Sequence, residues 1–204
     1  MSERSELYRK LNAYAFAAYD WNLYLDTHPE DKDAIAMFHK MADKAKESQS
    51  IKESNKGIEE LRKRYWLELL EQFATVSKQF QNVNPSTDHW LSGGSGVSGI
   101  PFTFAVTKKY ASVEISINHG DKEINEKIFD LLYEKKDEIE KTFGEPLFWE
   151  RLDEKKSCRI SSRLEDVNIV NLDDWQKIKD FQCDAMPRLD KALRQLVQKV
   201  AKEV

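Results

Sequence analysis

Glu114, Arg151, Arg159 and Arg163 are the residues whose types and spacing could do chemistry. A carboxylate among guanidinium groups can take up a phosphate, a carboxylate or a nucleotide, because the planar fork of arginine matches a two-oxygen anion. Trp90 and Trp149 would flank such a group. Next to Trp90 runs Ser92-Gly93-Gly94-Ser95-Gly96-Val97-Ser98-Gly99, where successive backbone N–H groups could form an anion-binding cradle. The same residues have a plainer reading. The charged group would be an exposed sheet face with cross-strand ion pairs such as Glu114–Arg159. The glycine-rich run would be a flexible surface loop leading into a strand.

Better-known chemistries fail on spacing. A phosphate-binding P-loop needs Gly-Lys-Ser/Thr opening a helix, and this loop has no lysine and precedes a strand. A dinucleotide fingerprint fails because no helix opens at the glycines. A metal-dependent nuclease needs Glu-x-Lys on a strand to hold Mg²⁺ and activate water, but Glu114-Ile115-Ser116 places serine where lysine should be. His119-Gly120-Asp121 offers two metal ligands without a third. No catalytic residue, metal site or cofactor is assigned.

These residues need a sheet to position them. Ile100, Phe102, Phe104 and Val106 alternate with polar or small residues, as do Ala111, Val113, Ile115 and Ile117, with Lys108-Lys109 between. That pattern predicts an antiparallel hairpin with one apolar face. Its other face would carry Thr103, Thr107, Ser112, Glu114, Ser116 and Asn118. Residues 147–152 and 157–164 predict a second hairpin, turned at 153–156, with a short extra strand near Trp90-Leu91. Helices are expected over 58–80, over 121–143 with Gly144 as its stop, and from a cap at Asp173 and Gln176 to the C-terminus. Pro187 should kink or split that last helix. The result is an α+β layer in the order α-β-β-α-β-β-α.

Residues 1–57 read differently. Leu7, Leu11, Tyr14, Ala18, Trp21 and Leu25 form one helical stripe, and Ala34, Phe38, Met41 and Ala45 form a second. Thr27 with Glu30 fits a capping box, with Pro29 early in the second helix. This αα-hairpin buries little surface alone and needs a partner, either the rest of the chain or another protein. Trp21, Tyr24 and His28 are its candidate partner-binding residues, His28 being also a turn former. The polar run 46–57 reads as a helix end and linker with its break at Gly57, giving domains 1–57 and 58–204.

The chain has 204 residues, a formal net charge of −4 and 33% charged residues. A mildly acidic balance disfavours tight, salt-sensitive DNA binding while leaving room for a local basic patch. Cys158 and Cys183 have no metal spacing and read as reduced thiols. With no membrane-length apolar run and no leader, a cytoplasmic location away from membranes is expected.

Two family resemblances follow. The run Asn22-Leu-Tyr-Leu-Asp-Thr-His-Pro29, within the helical pattern from Leu7 to about Ala45, resembles the CotJB-type spore-coat proteins. That resemblance implies an interaction module in a coat or shell assembly. Tyr65-Trp66, Trp90 to Gly99, Tyr110 to Ile115, Gly120-Asp-Lys122, Phe143 to Leu147, Trp149 to Asp153, Cys158-Arg-Ile160 and Asp184-Ala-Met186 resemble the bacterial domain of unknown function 4268. In that family the domain often follows a nuclease-like domain, which implies DNA transactions or defence; here the helical hairpin stands in that domain's place. The expectation is a non-catalytic binding module with a protein partner or second copy, nucleic acid or a nucleotide being a further possible ligand. The alternatives are a spore-coat-type assembly protein and a degenerate or metal-dependent nuclease.

Overall fold

The computed structural model describes residues 3–152 and 154–204, the side chains of residues 3 and 4 excepted. Asp153, the first residue of the expected 153–156 turn, lies outside the described residues. The chain divides into two compact units, Met1–Glu59 and Glu60–Val204.

The first unit pairs α1 (Glu3–Leu25) with the N-terminal part of α2 (Lys32–Phe73). The inner stripe of α1 is only half-buried apart from Ala18, and α2 contributes Ala34 and Ser48 as its buried residues here. The turn is capped differently from expectation. Asp31, not Thr27 with Glu30, accepts from the Asp33 and Ala34 backbone N–H groups, both at 3.0 Å. Thr27 instead donates its hydroxyl to the Tyr24 carbonyl at 3.1 Å and closes the end of α1. Asp31 is the better cap because it stands directly before the first helical residue. The expected linker over 46–57 is helix throughout. A lone glycine costs a helix only about 1 kcal/mol relative to alanine, and the strong helix formers around Gly57 offset that.

The second unit is a five-stranded antiparallel sheet with the strand order β1-β2-β3-β5-β4. Its strands are β1 (Trp90–Gly93), β2 (Phe102–Val106), β3 (Tyr110–Ile117), β4 (Phe148–Glu150) and β5 (Cys158–Glu165). Both hairpins form, and the extra strand at Trp90 is real. One face presents Leu91, Phe102, Phe104, Val106, Val113, Ile115, Ile117 and Ile160 to a single core. The same core takes Tyr65, Trp66, Leu69 and Phe73 from the end of α2, plus the buried sides of α3 (Lys122–Tyr133), α4 (Lys136–Phe143) and α5 (Asp174–Val200). Gln182 is the polar tie inside it. Its amide donates to the Ala105 and Ser112 carbonyls at 3.0 and 3.1 Å, and its oxygen accepts from the Tyr65 hydroxyl at 2.7 Å.

Three helix expectations are corrected. The helix expected over 121–143 is two helices, re-aimed at Glu134-Lys135. No apolar residue falls between Tyr133 and Ile139 to hold one continuous helix on the core. The helix expected to reach residue 80 ends at Phe73, although Phe80 still packs on Phe73 and Phe104. Pro187 does not split α5. A proline inside a helix costs about 3 kcal/mol, and the buried Ala185, Met186 and Leu189 on either side of it supply the compensation. Asp173 makes no side-chain cap there; the neighbouring Asp174 accepts from the Asn168 backbone N–H at 2.9 Å.

Candidate functional site

On the side of the sheet opposite the core, strand alternation lines up Thr103, Ser112, Glu114, Ser116, Arg159, Ser161 and Arg163. Glu114 sits mid-strand, paired with Thr103 on one side and Ser161 on the other. Arg159 Nη1 donates to Glu114 Oε2 at 3.2 Å, and the Ser112 hydroxyl donates to the same oxygen at 3.3 Å. Glu150 of β4, directly opposite Arg159, forms an ion pair with Arg159 Nε at 3.3 Å and accepts from Arg163 Nη2. Two carboxylates and two guanidinium groups thus alternate in one chain, Glu114–Arg159–Glu150–Arg163. Burial works against the charge on Arg159, but Glu114 and Glu150 outweigh it and hold the guanidinium pKa above its ordinary value.

Arg163 lies between two rings, 5.3 Å from the centroid of Tyr110 and 5.0 Å from that of Phe148. Beneath this layer Ser161 is fully buried, and its Oγ and the Arg163 Nε have no hydrogen-bond partner. The face expected to meet water is therefore largely closed by its own long side chains: Thr103, Ser112, Glu114 and Ser161 are all buried. An incoming anion would have to displace a carboxylate from each arginine. The cross-strand ion-pair reading of Glu114 and Arg159 fits this geometry better than the ligand reading.

Two residues expected on that face are elsewhere. Trp149 alternates onto the opposite side, where its indole N–H donates to Glu140 Oε1 at 2.9 Å and its ring packs on Phe129 and Tyr133. Arg151 follows β4 and turns to α3, reaching Asp130 through Nε and Nη2 at 3.1 and 3.0 Å, and Glu126 at 3.4 Å. Trp90 is on the expected face, at its β1 edge, and is exposed.

The glycine-rich run is tied by hydrogen bonds to β2 and to the end of α5. Ser92 shares a 2.7 Å hydroxyl contact with Thr103, and Gly93 admits no Cβ, which would stand 2.9 Å from the Phe80 ring. The Gly94 carbonyl accepts from Arg194 Nη1 at 3.3 Å, and the Ser95 carbonyl accepts from Gln198 Nε2 at 2.8 Å. Ser95 is fully buried, and its hydroxyl accepts from the Val97 backbone N–H at 3.2 Å. Gly96 and Gly99 take positive φ, 92° and 75°. The loop is thus gripped by its carbonyls from the end of α5.

In the first unit, Tyr24 and His28 stack with ring centroids 4.3 Å apart and planes 3° apart. His28 Nδ1 lies 2.8 Å from Thr27 Oγ1, and Tyr24 donates its hydroxyl to Asp31 at 3.3 Å. Hydrogen bonds from the Ala34 and Asp33 backbone and from Tyr24 hold the Asp31 carboxyl below its usual range. Trp21 is half-buried and meets Tyr24 edge-on at 6.0 Å. Tyr24 and His28 thus shape the end of α1 and the turn, and Tyr24 remains exposed. Besides Tyr24 and Ile51, exposed apolar surface lies on the outer side of α1, on Tyr8, Phe16, Tyr19 and Leu23. That surface was missed in the sequence, yet it left a signal: Leu11 to Tyr19 carries no charge, in a chain where a third of the residues are charged. Glu150, Tyr110 and Phe148 were likewise missed. Among the described residues no group of three or more metal-ligating side chains comes together, and no helix is long and apolar enough to cross a membrane.

The second unit is an α+β sheet domain whose polar face is internally neutralised, preceded by a helical hairpin with an uncovered aromatic side. Residues 61–197, more than half of the chain, match the family described as a domain of unknown function (DUF4268), and the chain belongs to that family. Residues 5–65 match the family described as CotJB protein, so the hairpin region is similar to it. No curated protein and no solved structure matches the chain.

Proposed function

We propose that this protein is a non-catalytic interaction module that docks a protein partner through the outer side of α1. The observation that carries the reading is the exposure of Phe16, Tyr19 and Leu23 together on one helix, within a stretch nearly free of charge. Aromatic enrichment with charge depletion marks the centre of protein interfaces. Two further facts support it. Among the described residues the hydrophobic core cluster begins at Tyr65, and the hairpin buries only Ala18 and Ala34 of its apolar side chains. The likeness to CotJB protein over residues 5–65 favours a role in an assembly of the spore-coat type. Nucleic-acid or nucleotide binding on the sheet receives less support, because Arg159 and Arg163 already hold carboxylates.

The test is the double substitution Phe16→Glu with Tyr19→Glu in the full chain. Both side chains are solvent-exposed, so the circular dichroism spectrum and Tm should match wild type, while higher-mass complexes are lost. Complexes that survive the substitution would overturn the reading.

A further inference from the structure

The outer side of α1 has an internal symmetry. Tyr8, Asn12, Ala15, Phe16, Tyr19, Asn22 and Leu23 are all exposed and all uncharged. They recur at three- and four-residue spacing along about 24 Å of helix, the pattern of a helix-pairing seam. Their order is close to palindromic about the midpoint between Ala15 and Phe16. Tyr8 and Leu23 are equidistant from that point, as are Asn12 and Tyr19. When such a helix turns antiparallel against itself, large meets small: Phe16 over Ala15, Tyr19 over Asn12, Tyr8 against Leu23.

We infer that the partner docking on α1 is a second copy of this chain, and that the two α1 helices pair antiparallel about a two-fold axis near Ala15 and Phe16. The inference rests on the proposed docking role of this surface and names its occupant. A two-fold contact uses the same patch on both copies, so the patch must complement itself, which this stripe does. The charges agree. Arg9 and Asp20, both exposed, lie along the same flank of the stripe. In an antiparallel pair like flanks meet, so Arg9 of each copy lies about 3 Å along the axis from the level of Asp20 of the other, within reach of its long side chain. The area agrees too. Tyr8, Phe16, Tyr19 and Leu23 are 37%, 67%, 59% and 48% exposed. At roughly 200 Å² for a large side chain they leave about 400 Å² per copy to bury, hence about 800 Å² for the pair. Asn12, Ala15, Asn22 and the Arg9 stem take this toward the ~1,000 Å² of a reversible biological contact. Tyr8 is additionally steadied from within its own hairpin by Lys52, whose ammonium lies 4.8 Å from the ring centroid.

Sedimentation equilibrium of the purified full chain tests this, with circular dichroism as the fold control. Wild type should be a monomer–dimer system with a dissociation constant in the micromolar range, and Phe16→Glu with Tyr19→Glu should weaken it by at least about 100-fold. Arg9→Asp alone and Asp20→Arg alone should each weaken the dimer, and the two together should restore it, which only the antiparallel register allows. A dimer that persists in the double-glutamate variant, or an absence of charge-swap rescue, overturns the inference. A wild-type chain that stays monomeric well above micromolar concentration also overturns it. If complexes with other proteins were then still lost on mutating Phe16 and Tyr19, the docking role would stand and only the self-pairing would fall.

Discussion

Gly99 shows how narrowly single residues fix the sheet. It holds φ at 75°, and an added Cβ would collide with the backbone carbonyl of Asn118. Backbone cannot step aside as a side-chain tip can, so Gly99→Ala should cost about 2–3 kcal/mol in urea unfolding. Gly94, one turn of loop earlier, has open space around its Cβ position, and Gly94→Ala should stay within about 0.5 kcal/mol of wild type. A second residue-level prediction concerns Glu68. Burial pushes its carboxyl up, but hydrogen bonds and charge from Lys179 and Arg64 outweigh that and hold it below the ordinary 4.5. A depressed carboxylate contributes stability above its unfolded pKa and loses it as pH falls through the folded value. Glu68→Gln should therefore lower stability by roughly 0.5–1 kcal/mol at pH 7. The difference from wild type should shrink below about pH 4.5 and vanish once Glu68 is protonated. A constant difference down to low pH would show that packing, not charge, is responsible.

Elements were legible in the sequence wherever the alternation of side chains was long. β2, β3 and β5 were each readable from their own residues, but the β3–β5 register sets Glu114 opposite Ser161, and Arg159 reaches it along the diagonal. β4 is three residues long, too short for alternation to say where it stops. That is why Trp149 and Arg151 were assigned to a face they do not occupy. The polar face was read as open because small polar residues suggest water. The closing layer depends on Tyr110 of β3 and on Phe148 and Glu150 of β4 arriving on either side of β5, which no local pattern reveals. On α1 the inner stripe accounted for the periodicity and hid the outer one, since a helix apolar on two sides has no clear polar face. α2 ran through its expected break because one glycine is a weak stop. Gly57 has nothing within 4 Å of its Cβ position. Gly57→Ala should therefore raise helix stability by about 0.5–1 kcal/mol, seen as a later thermal loss of the 222 nm signal. A loss of stability would mean that residue 57 is not helical.

Across the whole molecule, the two units differ in what they leave unsatisfied. The α+β unit closes its core, ties its glycine-rich loop to α5 and neutralises its sheet arginines with its own carboxylates. The hairpin unit leaves Phe16, Tyr19 and Leu23 in solvent. Binding on this account belongs to the hairpin, although the sheet unit also leaves Trp90 and Phe148 exposed and the Ser161 Oγ and Arg163 Nε without a hydrogen-bond partner. The most direct measurement is photo-crosslinking in the cell of origin, with a benzophenone amino acid replacing Phe16 in one strain and Phe148 in another. Both positions are exposed aromatics, so the probe should disturb neither fold. Protein adducts from position 16 with none from position 148 are the predicted result. Adducts from position 148 with none from position 16 would contradict the account.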